Sequence, residues 1–182
     1  IKSAAVTLAP IIVLIDVFFY KINKKLIIEK ILLLVIAIFF GYYTFVSRNN
    51  DLLGVQFVGA KYNLWERLLM VSHTIPLYLS KFLIPLKQCF HYPFPEDGKW
   101  PAIYYAALAT IPLLALALWY AFKRSKLITF GLLFYLASIS VMLPLFTVGN
   151  FELRSDRYNY IGIVGLALVW IELIFILIKD NK

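Results

Sequence analysis

The chain has 182 residues, of which 62% are hydrophobic, 17% aromatic and only 15% charged, and its mean hydropathy is +0.82. Soluble domains run nearer about 45–50% apolar and about 25% charged, so this balance excludes an ordinary soluble domain. The formal net charge is +8, but the Lys and Arg residues cluster in short loops between apolar blocks, which points to membrane orientation and away from a nucleic-acid partner.

The first residue is not Met, and no signal-peptide pattern introduces the first apolar block. The chain therefore reads as a fragment of a longer protein, a single membrane domain over residues 1–182. One cysteine, Cys89, rules out an intrachain disulfide.

At about 1.5 Å rise per residue, roughly 20 apolar residues cross a 30 Å hydrocarbon core. Five blocks approach that length: residues 4–20, 26–46, 102–122, 127–146 and 158–178. Pro10 and Asp16 weaken the first. A sixth stretch, 64–86, differs in carrying Glu66, Arg67, Ser72, His73, Thr74, Ser80 and Lys81, and in being broken by Pro76 and Pro85. On a helix Glu66, His73 and Ser80 share one stripe and Arg67, Thr74 and Lys81 the next, which predicts a polar face beside an apolar one. Such a segment lies at an interface, lines a polar cavity, or dips in and returns.

Charge chooses among these. Lys21, Lys24 and Lys25 follow the first block, Lys123, Arg124 and Lys126 separate the third from the fourth, and Lys179 and Lys182 follow the fifth. All three clusters fall on the cytoplasmic side only if 64–86 does not cross. The expected fold is therefore all-α, a polytopic integral membrane helix bundle of about five transmembrane helices plus one kinked interfacial or re-entrant amphipathic segment, 64–86. Residues 47–63, 87–101 and 147–157 then share the outer face.

The outer segments hold the candidate chemistry. The run Arg154-Ser155-Asp156-Arg157-Tyr158-Asn159-Tyr160 leads into the last block. Ser155 is expected to cap that helix, with Asp156 in its first turn. A helix N-terminus beside Arg154 and Arg157 makes a site for phosphate or pyrophosphate, with Tyr158 and Tyr160 at headgroup depth. The plainer alternative makes Arg157 and the tyrosines interfacial anchors. In the run 90–100, His91 and Glu96 have acid/base chemistry and Tyr92 and its aromatic neighbours can stack on a sugar. The alternative there is a rigid Pro-rich surface loop. His73 and Lys81, on the polar face of 64–86, suit an anionic lipid head or, more blandly, a satisfied histidine and a snorkelling lysine. Asp16 is expected to pair locally with Lys21, and Glu172 to resemble it through Lys179. There is no Cys/His set spaced for zinc, no Gly-rich phosphate loop and no Ser nucleophile elbow.

Three stretches in order carry a family resemblance. Lys2-Ser3-Ala4-Ala5-Val6-Thr7-Leu8-Ala9-Pro10 with Leu14-Ile15-Asp16 resembles a "K-x-x-A-V-T-L-P … L-x-D" helix. Tyr78-Leu79-Ser80-Lys81 through Pro85-Leu86, then Phe90-His91-Tyr92-Pro93-Phe94-Pro95, is similar to "Y-L-x-K-x-x-x-P-L … F-Y-P-x-P". Asp156-Arg157-Tyr158-Asn159-Tyr160-Ile161 with Gly165-Leu166 resembles "D-R-Y-x-Y-x-P-x-x-G-L". Together they resemble bacterial relatives of the transmembrane and tetratricopeptide-repeat O-mannosyltransferases, which are type-C (GT-C) glycosyltransferases, over nearly the whole chain. Ala9 intervenes before Pro10, Gly162 stands where the family often has Pro, and His91 replaces a more usual apolar or small residue; none of these departures removes a charged group.

The resemblance implies the C-terminal part of a GT-C membrane domain in a bacterial inner membrane, multi-pass, with basic loops cytoplasmic. It implies transfer of a sugar from a polyprenyl-phosphate donor to a protein or glycan hydroxyl on the outer face. The catalytic acid of such enzymes lies in an outer loop upstream, and tetratricopeptide repeats follow the membrane part. Arg157 is the first expectation for a ligand of the lipid phosphate, supported by Arg154, Lys81, Tyr158 and Tyr160, with His91, Tyr92, Glu96 and His73 around the sugar. No cofactor is indicated; some type-C enzymes use a divalent metal. The rival readings are a lipid-linked oligosaccharide ligase or polymerase, a transporter and a non-catalytic scaffold.

Overall fold

The computed structural model describes residues 6–20, 23–49, 62–86, 88–95, 99–145 and 153–180. Every regular element among them is helical, and one antiparallel bridge joins two loops.

Helix α1 spans Leu8–Phe19, 12 residues. That is about 18 Å, too short by itself for the crossing expected over 4–20, of which residues 4 and 5 lie outside the described residues. Helix α2, Lys24–Asn49, returns antiparallel to α1, as the contact of Val6 with the Gly41 position and the pairing of Asp16 with Lys30 define. The partner of Asp16 is thus Lys30, at 2.7 Å, in place of the expected Lys21, which lies outside the described residues. A largely buried carboxylate needs a cation, and the hairpin presents Lys30 from the facing helix. Along α2, Ile28, Ile31, Leu32, Val35, Ile38 and Phe39 form an exposed stripe at helical spacing.

Helix α3, Leu64–Leu83, opens with a reciprocal capping box. The Glu66 N–H donates to the Asn63 side chain at 2.9 Å and the Asn63 N–H to the Glu66 carboxylate at 2.8 Å. The expectation that Pro76 breaks this segment is not met: the helix runs through Pro76 and stops at Leu83, ahead of Pro85, because the residue before a proline is steered out of helical conformation. Helix α4, Ala102–Ala106, passes through one 3-10 turn, Ala107–Ala109, into α5, Thr110–Arg124. Ser125 caps α6, Lys126–Ser140, its hydroxyl accepting from the Leu127 and Ile128 N–H groups. The crossing expected to reach 146 ends six residues sooner, as the chain turns over 141–145 at Pro144. Helix α7, Gly162–Asp180, starts later than the expected 158, after a separate 3-10 turn, Asp156–Asn159.

Among the described residues two helices are long and apolar enough to cross a membrane, Ala102–Arg124 and Gly162–Lys179. Leu8–Phe19 and Lys126–Ser140 are apolar but shorter. Five crossings are thus not what helix length delivers.

The tightest seam joins α6 and α7. A Cβ at Gly165 would lie 2.5 Å from the Gly131 carbonyl oxygen and 2.9 Å from the Tyr135 nitrogen. Only glycine lets these backbones meet, the small-residue packing that holds apolar helices together where lipid is as apolar as leucine. Gly165→Leu is expected to cost about 2 kcal/mol or more, since the obstacle is backbone and cannot rotate away; a thermal melt in detergent reads the loss.

α3 lies across one end of the α6–α7 pair. Its lower face, Val71, Ile75 and Tyr78, packs on Tyr135, Ile139, Leu143 and Leu166. Its two ends are tied to the same loops: Tyr62 donates to the Pro95 carbonyl at 2.6 Å and stacks on Phe94, while Lys81 approaches Asp156 and the Tyr92 ring. Sandwiched this way, Ser72, His73 and Thr74 are buried, while Ser80 further along the polar stripe stays exposed.

Candidate functional site

Two segments far apart in sequence, Cys89–Tyr92 and Leu153–Asp156, zip together over α3. The Leu153 N–H donates to the Tyr92 carbonyl at 2.9 Å, the Tyr92 N–H to the Arg154 carbonyl at 3.2 Å, and the Asp156 N–H to the Cys89 carbonyl at 3.4 Å. Beneath them Tyr78 anchors the strap. Its hydroxyl donates to the Ser155 carbonyl at 3.0 Å, and its own carbonyl accepts from Asn159 Nδ2 at 3.1 Å.

Asp156 is the knot. One carboxylate oxygen accepts from the Cys89 N–H at 2.7 Å and the Tyr92 hydroxyl at 3.2 Å, and lies 3.6 Å from Lys81 Nζ. The expected capping arrangement is corrected here. Ser155 stands at the N-cap of the 3-10 turn but makes no side-chain cap bond, and its buried hydroxyl has no hydrogen-bond partner among the described residues. Asp156 turns to the neighbouring strap instead, where an N–H, a hydroxyl and an ammonium converge on it.

Lys81 also donates to the Leu86 carbonyl at 2.8 Å. Arg154 donates to His73 Nδ1 at 3.0 Å, hydrogen-bonds to Tyr104 and lies 4.5 Å over the Tyr92 ring. Arg157 is the exposed guanidinium, 4.2 Å over the Phe90 ring, and donates to the Tyr158 hydroxyl at 3.0 Å. Tyr160 is 66% exposed. His91 is exposed, and its carbonyl accepts from Cys89 Sγ. Glu96 lies outside the described residues. The structure thus gathers Lys81, Tyr92, Arg154, Arg157, Tyr158 and His73 at one end of the helices. Glu172 is at the other end, accepting from Ser125 Oγ at 2.7 Å in place of the expected Lys179.

Three contributors escape a reading of the sequence alone. Tyr104 stacks on His73, with ring centroids 4.1 Å apart, yet it stands in an apolar run like any interfacial aromatic. Phe90 supplies the face under Arg157. Asp156 is visible in sequence, but its role is not.

No family model, curated protein or solved structure matches this chain. Among the described residues no group of three or more His, Cys, Asp or Glu is placed to hold a metal ion.

α3 is not one of the two candidate spans. Burial first, and then the Arg154 cation, hold the His73 pKa down at about 4, below its usual 6.5. A folded value below the unfolded one means that neutral His73 supports the fold fully above about pH 6.5. That support is lost as pH falls from there towards 4. His73→Gln, which still accepts from Arg154 but does not titrate, is expected to flatten this part of the stability curve; melting temperatures between pH 7 and pH 4 check it.

Proposed function

We propose that this chain is the C-terminal part of the membrane domain of a glycosyltransferase that moves a sugar from a polyprenyl-phosphate donor to a protein or glycan hydroxyl on the outer membrane face. The observation that carries the reading is the zipped strap, which brings Lys81, Arg154 and Arg157 into one neighbourhood from distant parts of the sequence. Among them Arg157 is the phosphate ligand. It is exposed, it rests on aromatic faces, and its planar fork matches phosphate oxygens. Arg154 and Lys81 hold the strap in place, each matched by a partner in the protein. The family resemblance and this cluster support one another, and the exposed apolar faces of α2, α5 and α7 suit a lipid solvent.

In this reading the basic turns face the cytoplasm, as an excess of Lys and Arg directs. α1 and α6 are short crossings completed by flanking turns, and α3 lies flat at the outer interface, as its two ends tied to one loop face suggest. The carboxylate that takes the acceptor's proton comes from a segment outside these 182 residues. The chain's own residues neutralise the departing phosphate and keep Tyr92 and His91 beside the sugar.

The test is transfer by the whole protein in proteoliposomes, offered a monophosphate-linked and a pyrophosphate-linked polyprenyl sugar. The reading expects turnover of the monophosphate donor. Turnover of the pyrophosphate donor alone moves the assignment to a ligase or polymerase, and no turnover of either removes it.

A further inference from the structure

The other end of the bundle carries a second concentration of charge. α5 ends on Lys123 and Arg124 and α6 opens on Lys126, with Ser125 between them. All three cations are exposed, and each lies by an aromatic ring. Lys123 Nζ is 3.7 Å from the Trp119 centroid, Arg124 Cζ 5.3 Å from that of Tyr120 and Lys126 Nζ 6.0 Å from that of Phe19. Among the described residues no carboxylate lies within ion-pair reach of any of them. Glu172 comes to this turn, but its carboxylate is engaged by the Ser125 hydroxyl.

That Ser125–Glu172 bond also sets the level of the turn along α7. Lys179 stands two helical turns further on, about 10 Å, beyond the exposed Leu173, Phe175 and Leu177. In the opposite direction along α5 lie the exposed Leu116 and Leu113. The cations are therefore bordered by apolar surface on both sides along the helix axes. A ligand matching this pattern brings a negative head and an apolar body, which a soluble phosphate lacks.

We propose that the α5–α6 turn binds the phosphate of an anionic phospholipid in the leaflet opposite the Arg157 cluster, with the acyl chains along Leu116 and Leu113 of α5. The aromatic rings hold the three cations at the height of the headgroup while their stems run over apolar surface. Nothing in this requires sugar transfer; it rests only on the membrane placement.

Lipid titration of the purified whole protein in detergent micelles, read by native mass spectrometry, tests it without involving orientation. Wild type is expected to retain phosphatidylglycerol over phosphatidylcholine. The triple variant Lys123→Gln, Arg124→Gln, Lys126→Gln should lose that preference by about a hundredfold, at roughly fivefold per cation. Lys99→Gln, a charge loss in a loop between α3 and α4, should not, and the charge-conserving pair Lys123→Arg, Lys126→Arg should keep the preference. An unchanged preference in the triple variant overturns the proposal, as does displacement of the lipid by excess inorganic phosphate, which would mark a general anion site. Recovery of the protein from cells without detergent would overturn this proposal and the membrane placement together.

Discussion

Arg157→Ala is expected to lower sugar transfer by about a hundredfold to a thousandfold, the usual cost of removing one preorganised donor to a developing negative charge. The fold should survive it. Arg157 is exposed, and its contacts include the faces of Phe90 and Tyr158 and the Tyr158 hydroxyl. Losing such exposed contacts costs on the order of 0.5–1 kcal/mol. Arg157→Lys keeps the charge but loses the planar fork, and should fall between the two. Initial rates with the monophosphate donor check the order wild type, Lys, Ala. Wild-type turnover in the alanine variant would take Arg157 out of the mechanism.

Asp156→Ala is expected to act in the opposite way, through the fold first. The carboxylate that leaves is shared by the Cys89 N–H, the Tyr92 hydroxyl and Lys81. Lys81 and Tyr92 are partly buried and Cys89 is exposed, so the strap loses the acceptor of two donors and the counter-charge of Lys81, which keeps the Leu86 carbonyl. A loss of about 3 kcal/mol follows from such half-broken charged networks. Activity should fall with it, because Arg154 and Arg157 flank the knot on either side. Asp156→Asn keeps one acceptor and should lose less. Adding Lys81→Met to the alanine variant should recover part of the stability, because the stranded cation is gone; a double-mutant cycle from thermal melts measures that coupling. Additive losses at the two positions would show that Lys81 and Asp156 do not depend on each other.

The long apolar runs of α5 and α7 were legible because length and hydropathy alone specify them. α1 and α6 are shorter than the apolar runs that announce them. Apolar composition continues through Val141–Met142–Leu143 into the turn at Pro144, and a template of bilayer length does not register where hydrogen bonding stops. Pro76 looks like a break in the sequence, whereas α3 continues through it to Leu83. At the site, Lys81, Arg154 and Arg157 stand at one end of the helices. What a reading of the sequence could not contain is pairing at long range. Asp156 looks like a capping residue until the strap from Cys89 is laid beside it, and Tyr104 looks like an anchor until His73 stacks on it.

The most direct test of the donor-phosphate site is photo-crosslinking with a polyprenyl phosphate bearing a diazirine next to its phosphate, mapped by peptide mass spectrometry. Labelling is predicted on the peptides containing Phe90 and Tyr158–Tyr160, and it should vanish in Arg157→Ala. Labelling confined to the Lys123–Lys126 turn, or unaffected by that substitution, would contradict the account.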